Sequence, residues 1–555
     1  MTLGQADGDH TRWSYGPRLA RLCVLSFTSF PAVSGRNLQN GSSVLVPTQN
    51  LELGVPGVVT LGPQGSSNGS GPTMTEALST HLPRPKSMES WLKSCGAVGL
   101  DDLELADFPV TGRGVKTLRR FKKGERILTI PSGILWTVEH AYADPLVGPV
   151  LRSARPPLSV EDTLATYILF IRSRESGYDG LRSHVAAFPT SYPSSIFFAE
   201  EELEVCAGTS LYTITKKLDR SIEDDYRTLV VRVLAQSRDL FPLDKFSIED
   251  YKWALCTVWS RAMDFVLPDG NSIRLVAPFA DMLNHSSEVE PCHIYDASSG
   301  NLSVLAGKDY EAGDQAFIYY GSIPNSRLLR LYGFVMPGNP NDSYDLVIST
   351  HPSAPFFERK QKLWASAGLD SACTISLTLT DPLPKNVLRY LRIQRLDESD
   401  FAAIAHRQLA AADEKINDSN EVEVLRFLVE SFCQLLDGFG TQLEKLEAQL
   451  AEGVYPSGGN AWAAAHVNLG EQRVLRLARK RAEDLLSAVE SGSGDVRGSL
   501  PVMARCVNCE AVSAQLMLCG RCKGHSVLRA GVPGHSLHKA QGNMSSYRFQ
   551  EWLLR

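Results

Sequence analysis

Ala280-Asp281-Met282-Leu283-Asn284-His285-Ser286 carries the densest chemical information in this 555-residue chain. An Asn-His pair between apolar residues is an uncommon combination, because packing alone does not call for it. Thirty-odd residues on come Phe317-Ile318-Tyr319-Tyr320-Gly321, then Asn325-Ser326-Arg327 and Leu331-Tyr332-Gly333-Phe334. Two tyrosine–glycine steps this soon after the Asn-His pair form a polar, aromatic group that points to a site rather than to a plain core.

Around this stretch the chain changes period several times. Residues 1–86 are rich in Gly, Ser, Asn and Pro with no sustained pattern. They read as a disordered tail. Thr11–Asn50, with Arg12, Arg18, Arg21 and Arg36 and no acidic residue, also reads as an organelle-targeting segment, against which Asp7 and Asp9 count. A short helix is expected near Ser87–Lys93. Val110–Pro131 reads as strands broken by turns at Gly112/Gly114 and Lys123-Gly124. About 137–262 takes a helical period: Leu164, Ile168 and Ile171 follow acidic Glu161-Asp162, and Ser247-Ile248-Glu249-Asp250 is a capping pattern before a helix over Tyr251–Phe265. Strands are expected again from Leu275 to Tyr320. Beyond about 349 the pattern is helical, with Leu425, Leu428, Phe432 and Leu436 on one face and a second helix over Gln472–Val489, Ser457-Gly458-Gly459-Asn460 separating the two.

Composition narrows the function classes. Hydrophobic residues make up 43% and charged residues 21%, an ordinary globular profile, and the formal net charge is -6. That balance argues against a dominant nucleic-acid surface, which would be basic. No apolar run is long enough to cross a membrane. Most of the 11 cysteines stand singly, as in a reducing compartment, which favours the cytoplasm or nucleus.

The Asn284-His285, Tyr320-Gly321 and Tyr332-Gly333 motifs resemble those of the SET-domain protein methyltransferases. The likeness is to the branch that includes the Rubisco large-subunit lysine methyltransferase and the actin-histidine methyltransferase, and it covers about 87–348. It implies an α+β fold: a SET β-fold with a pseudoknot and a helical insertion, followed by an all-α C-terminal lobe at 349–492 that is similar to a substrate-binding lobe. It implies S-adenosylmethionine as cofactor. Gly112, Arg113 and Gly114 are similar to the family's first cofactor loop, although G-x-G alone more often marks a hairpin turn. Arg261 matches an arginine that grips the donor's carboxylate; by itself it reads as a surface residue ending a helix. Asn284 and His285 match the paired donor-contacting residues. Tyr320 matches the tyrosine nearest the reacting methyl, and Tyr332 a second channel tyrosine. Asp281 either orients the channel or caps a turn. The family often has an acidic residue before the glycine loop, where this chain has Thr111.

Such a site fits methyl transfer to nitrogen. Donor and acceptor must be held at attack distance in a water-poor channel, and a lysine must arrive uncharged, which burial promotes. Histidine-specific members of the branch carry an asparagine two residues after the arginine and a tryptophan before the aspartate. Here those positions hold Met263 and Ala280, so the expected acceptor is a lysine, and the resemblance to this branch implies a non-histone protein as the partner that presents it. The alternatives are a histidine methyltransferase and a catalytically silent SET-derived binding module. Near the C-terminus, in 493–555, Cys506-x-x-Cys509 and Cys519-x-x-Cys522 have the spacing of zinc knuckles and look like half of a MYND finger.

Overall fold

The computed structural model describes residues 86–407 and 414–492, with 504–505 and 512–513. Cys506, Cys509, Cys519 and Cys522, and the whole of 1–85, lie outside the described residues. Among the described residues no three potential metal ligands cluster, and no helix is long and apolar enough to cross a membrane.

The strands are β1 Leu103–Phe108, β2 Gly112–Thr117, β3 Arg126–Ile130, β4 Met263–Val266, β5 Ser272–Leu275, β6 Asn284–His285, β7 His293–Tyr295, β8 Leu302–Leu305 and β9 Gln315–Ile318. One sheet runs β1-β2-β9-β6, a second β3-β8-β7, and β4-β5 pair alone. In the first sheet β9 lies antiparallel to β2 (Val115 opposite Ala316) and parallel to β6 (Asn284 opposite Phe317). The chain therefore leaves β6, builds β7 and β8 elsewhere, and returns to insert β9 between β2 and β6. This interleaving puts the Asn-His pair next to the glycine loop, 170 residues away in sequence. Strand alternation supplies the burial: in β9, Ala316 and Ile318 face the core.

Between β3 and β4 lies the helical insertion. Helix Val160–Ser173 starts at Ser159, whose hydroxyl accepts from Asp162 N–H at 3.0 Å. Nine of its residues, Thr163 through Ile171, are buried in one run, so it is covered on all sides. It packs on helix Ile248–Arg261, which opens with the expected Ser247/Asp250 capping box. That helix stops at Arg261, because Ala262 is already extended and β4 begins at Met263. The expected helix runs to Phe265; Met263–Val266 instead pairs with β5. Strands thus resume at Met263, not Leu275, and β1 is an added strand that the sequence reading did not contain.

The C-terminal lobe is not all helical. β10 Ser343–Ser349 pairs with β11 Ala372–Thr378 over seven registered residue pairs. Tyr344, Leu346 and Ile348 of β10 belong to the lobe's own core with Trp364, Leu425, Phe432 and Leu475. The lobe therefore begins near 343, slightly before the expected boundary. Its main helix spans Asn460–Glu490, twelve residues longer at its N-terminal end than the periodicity suggested, and packs on Asp418–Asp437. The extra turns bury Ala463, Ala464 and Val467 against Leu203, Cys206 and Leu211 of the insertion and Leu329 and Val335 of the SET part. Small alanines carry no helical-face signal of their own, which is why that segment reads as a break.

Candidate active site

The Asp281–His285 segment is aimed by a strained turn. Fully buried Phe279 takes φ +69°, ψ -42°, a conformation that costs a non-glycine residue energy. A short 3-10 turn over Ala280–Met282 follows, and Leu283 restores an extended chain into β6. The result sends the Asp281 side chain into the core and the Asn284 and His285 side chains toward a cleft of about 1020 Å3.

Asn284 closes one wall. Its Nδ2 donates to the carbonyls of Arg113 at 3.0 Å and Thr111 at 3.3 Å, so it clamps the glycine loop. Gly114 permits this approach: a Cβ there would collide with Gln315 and come within 2.9 Å of Asn284 Nδ2. Gly112, at φ +65°, makes the turn. The Thr111 hydroxyl donates to Gln315 Oε1 at 2.7 Å, so this residue anchors the loop to β9.

His285 accepts from the Tyr320 backbone N–H through Nδ1 at 3.1 Å. Burial lowers its pKa to about 4, so the ring is neutral with its proton on Nε2. The Tyr320 hydroxyl donates to the Leu283 carbonyl at 2.7 Å. Its ring centre lies 5.0 Å from that of Tyr332 and 5.2 Å from that of His285. Tyr332 ends a π-turn stopped by Gly333 at φ +77°, and Phe334 packs edge-on against it at 6.3 Å. Burial raises both tyrosines above the ordinary phenol value, so both stay protonated.

Two arginines complete the cleft. Arg261 Nη1 donates to the Asp281 carbonyl and to its Oδ2, each at 3.1 Å. The guanidinium lies over Phe188, 5.3 Å from the ring centre. Its Nε is buried and meets no acceptor among the described residues. Arg113 donates to the Ala187 carbonyl, and its pKa is depressed by burial and by the charge of Arg261. Two largely buried cations, one of them with an unpartnered donor, suit an anion. Asp281 does not face the tyrosines. Its carboxylate is enclosed by Arg261 and by His184 Nε2, 3.1 Å from both oxygens. Burial pushes that carboxyl up, but His184 and Arg261 outweigh it and hold it low.

The cleft thus gathers Arg113, Arg261, Asn284, His285, Tyr320 and Tyr332. Gly112 and Gly114 shape its loop, and Asp281 stands behind Arg261. The sequence reading missed three contributors. His184 and Trp136 sit alone in their segments with no motif to mark them. Trp462, with Ser457 and Gly458, lines the cleft from the C-terminal lobe, where the sequence showed only a helix break.

Solved structures share this architecture. The SET domain of LSMT bound to lysine and AdoHcy superposes with a TM-score of 0.66 at 22% identity, over 74% of this chain and 93% of that one. The fold is that of a SET domain. A second such structure, Rubisco LSMT bound to AdoMet, gives a TM-score of 0.65 at 22% identity over 75% and 97%. Residues 351–475 of this SET-fold chain match the family model described as Rubisco LSMT substrate-binding. By sequence, the actin-histidine N-methyltransferase of Rattus norvegicus is 25% identical over 456 residues, 76% of this chain and 75% of its own length. The Xenopus tropicalis protein of the same name is 26% identical over 373 residues, 65% and 63%.

Proposed function

We propose that this protein is an S-adenosylmethionine-dependent protein N-methyltransferase and that the cleft is its donor site. The observation that carries the reading is the pairing of buried Arg261, with its orphaned Nε, and Arg113 beside a glycine loop clamped by Asn284. The residues fit the donor: an anionic carboxylate would satisfy the arginines, and the volume suits a nucleoside-sized ligand. When bound, the donor supplies an electrophilic methyl on a sulfonium.

The chain's own groups do the rest. Tyr320 spends its proton on the Leu283 carbonyl, so its oxygen presents lone pairs toward the channel. Those lone pairs orient an amine N–H and favour positive charge at the transferring centre. Tyr332 and Phe334 exclude water, which keeps an entering amine uncharged. His285, neutral and fixed through Tyr320 N–H, holds the tyrosine strand against the Asn-His strand.

The acceptor we assign is a lysine, since Met263 and Ala280 replace the histidine-tailored pair and are both buried in the core; the resemblance to this branch favours a non-histone protein as its carrier. The LSMT neighbours were solved with lysine and monomethyllysine. A histidine acceptor is the second reading, favoured by the sequence relatives, which are named for actin histidine. Incubation of the full chain with labelled S-adenosylmethionine and cell lysate or actin, followed by tandem mass spectrometry, separates the two. Methyl label on lysine is expected, and label confined to histidine would overturn that acceptor. Calorimetry with S-adenosylmethionine tests the donor site: saturable binding is expected, abolished by Asn284→Ala. A folded wild-type protein that binds no donor would leave a binding module in place of an enzyme.

A further inference from the structure

Arg261 is held from behind by a line of buried groups, of which Asp281 alone also borders the cleft. Trp136 Nε1–H donates to His184 Nδ1 at 3.0 Å. An indole can only donate, so Nδ1 must carry the lone pair, and the neutral ring bears its proton on Nε2. In the other tautomer two N–H groups would face each other. Nε2–H points at Asp281, and Asp281 receives Arg261 Nη1. Trp136, His184 and Asp281 are all buried, and Trp136 is itself tied by a β-bridge to Val276, upstream of the strained Phe279 turn. Phe188 fills the remaining side, edge-on to His184 with ring centres 4.5 Å apart and also beneath Arg261.

We propose that His184 is a positioning residue for the donor's carboxylate. Locked by Trp136, it fixes Asp281, and Asp281 fixes which edge of the Arg261 guanidinium faces the ligand. With Nη1 consumed by Asp281, the edge that carries the unpartnered Nε is the one left for a carboxylate. A guanidinium is a planar fork, so its orientation decides whether a carboxylate meets two donors or one. The inference rests on the donor reading given above. It adds that donor affinity is set in part by an insertion helix, Asp179–Val185, that does not line the grip on the carboxylate.

The test uses full-length protein and two ligands: S-adenosylmethionine and its decarboxylated analogue, which keeps the sulfonium, adenosine and amine. Affinities are measured by displacement of S-adenosylhomocysteine. His184→Gln retains both bonds, its carbonyl facing Trp136 and its amide facing Asp281. His184→Leu removes both. His184→Leu is expected to weaken S-adenosylmethionine about 10-fold, the worth of one charge-assisted contact, and to leave the analogue unchanged. His184→Gln is expected to restore affinity to within about twofold of wild type. Trp136→Phe keeps the ring and loses only the N–H; it carries the same comparison if His184→Leu does not fold, with an expected loss of about threefold for S-adenosylmethionine alone. Equal losses for both ligands, or none for either, would overturn the positioning role. Wild-type protein that binds no S-adenosylhomocysteine would instead overturn the donor reading on which it rests.

Discussion

Asp281 and Glu471 are both almost wholly buried, yet their surroundings give them opposite states. Asp281 meets an arginine and an imidazole N–H and stays ionised. Glu471, on the long lobe helix, meets the Ser210 N–H at 2.7 Å and the Ser210 hydroxyl, and no cation among the described residues. Burial, with Asp345 and Asp342 nearby, pushes its pKa up to about 8. Burial disfavours charge at both places, so neighbours decide the outcome. Beside Arg261 and His184 the charge is kept by its partners. At the seam between SET part and lobe a charge is suppressed, and the contact holds best without it.

The largest effect should come from breaking the charged member of this pair. Asp281→Ala leaves Arg261 buried beside Arg113 with no counter-charge. Loss of one partner from a buried pair costs about 3–5 kcal/mol, so the urea midpoint should fall sharply and donor binding should vanish with it. Asp281→Asn keeps the shape and should recover part of the stability. A shift below ~1 kcal/mol in Asp281→Ala would mean that Arg261 turns to solvent at little cost.

The seam should break next through geometry. Gly470 lies inside the helix Asn460–Glu490, where a Cβ would collide with the Asp342 carboxylate. That carboxylate cannot step aside easily, because Asn325 N–H donates to it at 2.9 Å. Gly470→Ala gains about 1 kcal/mol of helix propensity, but overpacking costs roughly 1–3 kcal/mol. We expect a net loss at the seam, visible as faster proteolysis between the SET part and the lobe. A net gain would show that the seam is looser than its contacts imply.

A smaller, pH-dependent effect sharpens the contrast. Glu471 has an ordinary pKa of 4.5 when unfolded and about 8 when folded. Between those values the folded chain holds a proton that the unfolded chain has lost, so stability falls as pH rises. The contribution is whole below 4.5 and gone above about 8. Asp342, raised to about 7, acts in the same direction, and Arg473 opposes it weakly. Glu471→Gln should therefore match wild type near the acid end and exceed it by a growing margin as pH rises toward 8. Denaturation midpoints compared across that range decide it. Parallel curves would mean that Glu471 ionises freely.

What could be read beforehand divides along the same line. The cleft's direct contributors were visible because Asn284-His285, Tyr320-Gly321 and the glycine loop are short local motifs, brought together by the interleaved β2-β9-β6 order. The supports were not. His184 reaches Asp281 across 97 residues, and a single histidine in a helix gives no sign of what it will face. Met263–Phe265 reads as helix because its apolar residues continue the preceding period, while the β-pairing that claims them comes from Ser272–Leu275. The lobe's two-stranded sheet was missed for a related reason: the partners Ser343–Ser349 and Ala372–Thr378 are split by a helix, so no hairpin turn announces them.

The last test asks whether seam and cleft communicate. Trp462 sits near the start of the long helix, edge-on to His466 with ring centres 4.3 Å apart, and its indole lines the cleft beside Ser457 and Gly458. The same helix carries Gly470 and Glu471 across the seam. Seam and cleft wall thus share the first turns of one helix. Trp462→Phe shortens that wall and keeps an aromatic ring against the Leu203–Ala463 cluster on which Trp462 packs. The expected change is a two- to fourfold weaker donor affinity, roughly 0.5–1 kcal/mol, with the urea midpoint little altered. If affinity is unmoved, the lobe merely borders the cleft. If it falls, then Gly470→Ala, which shifts the helix rather than the wall residue, should lower donor affinity as well, and the suppressed charge at the seam becomes part of what shapes the donor site.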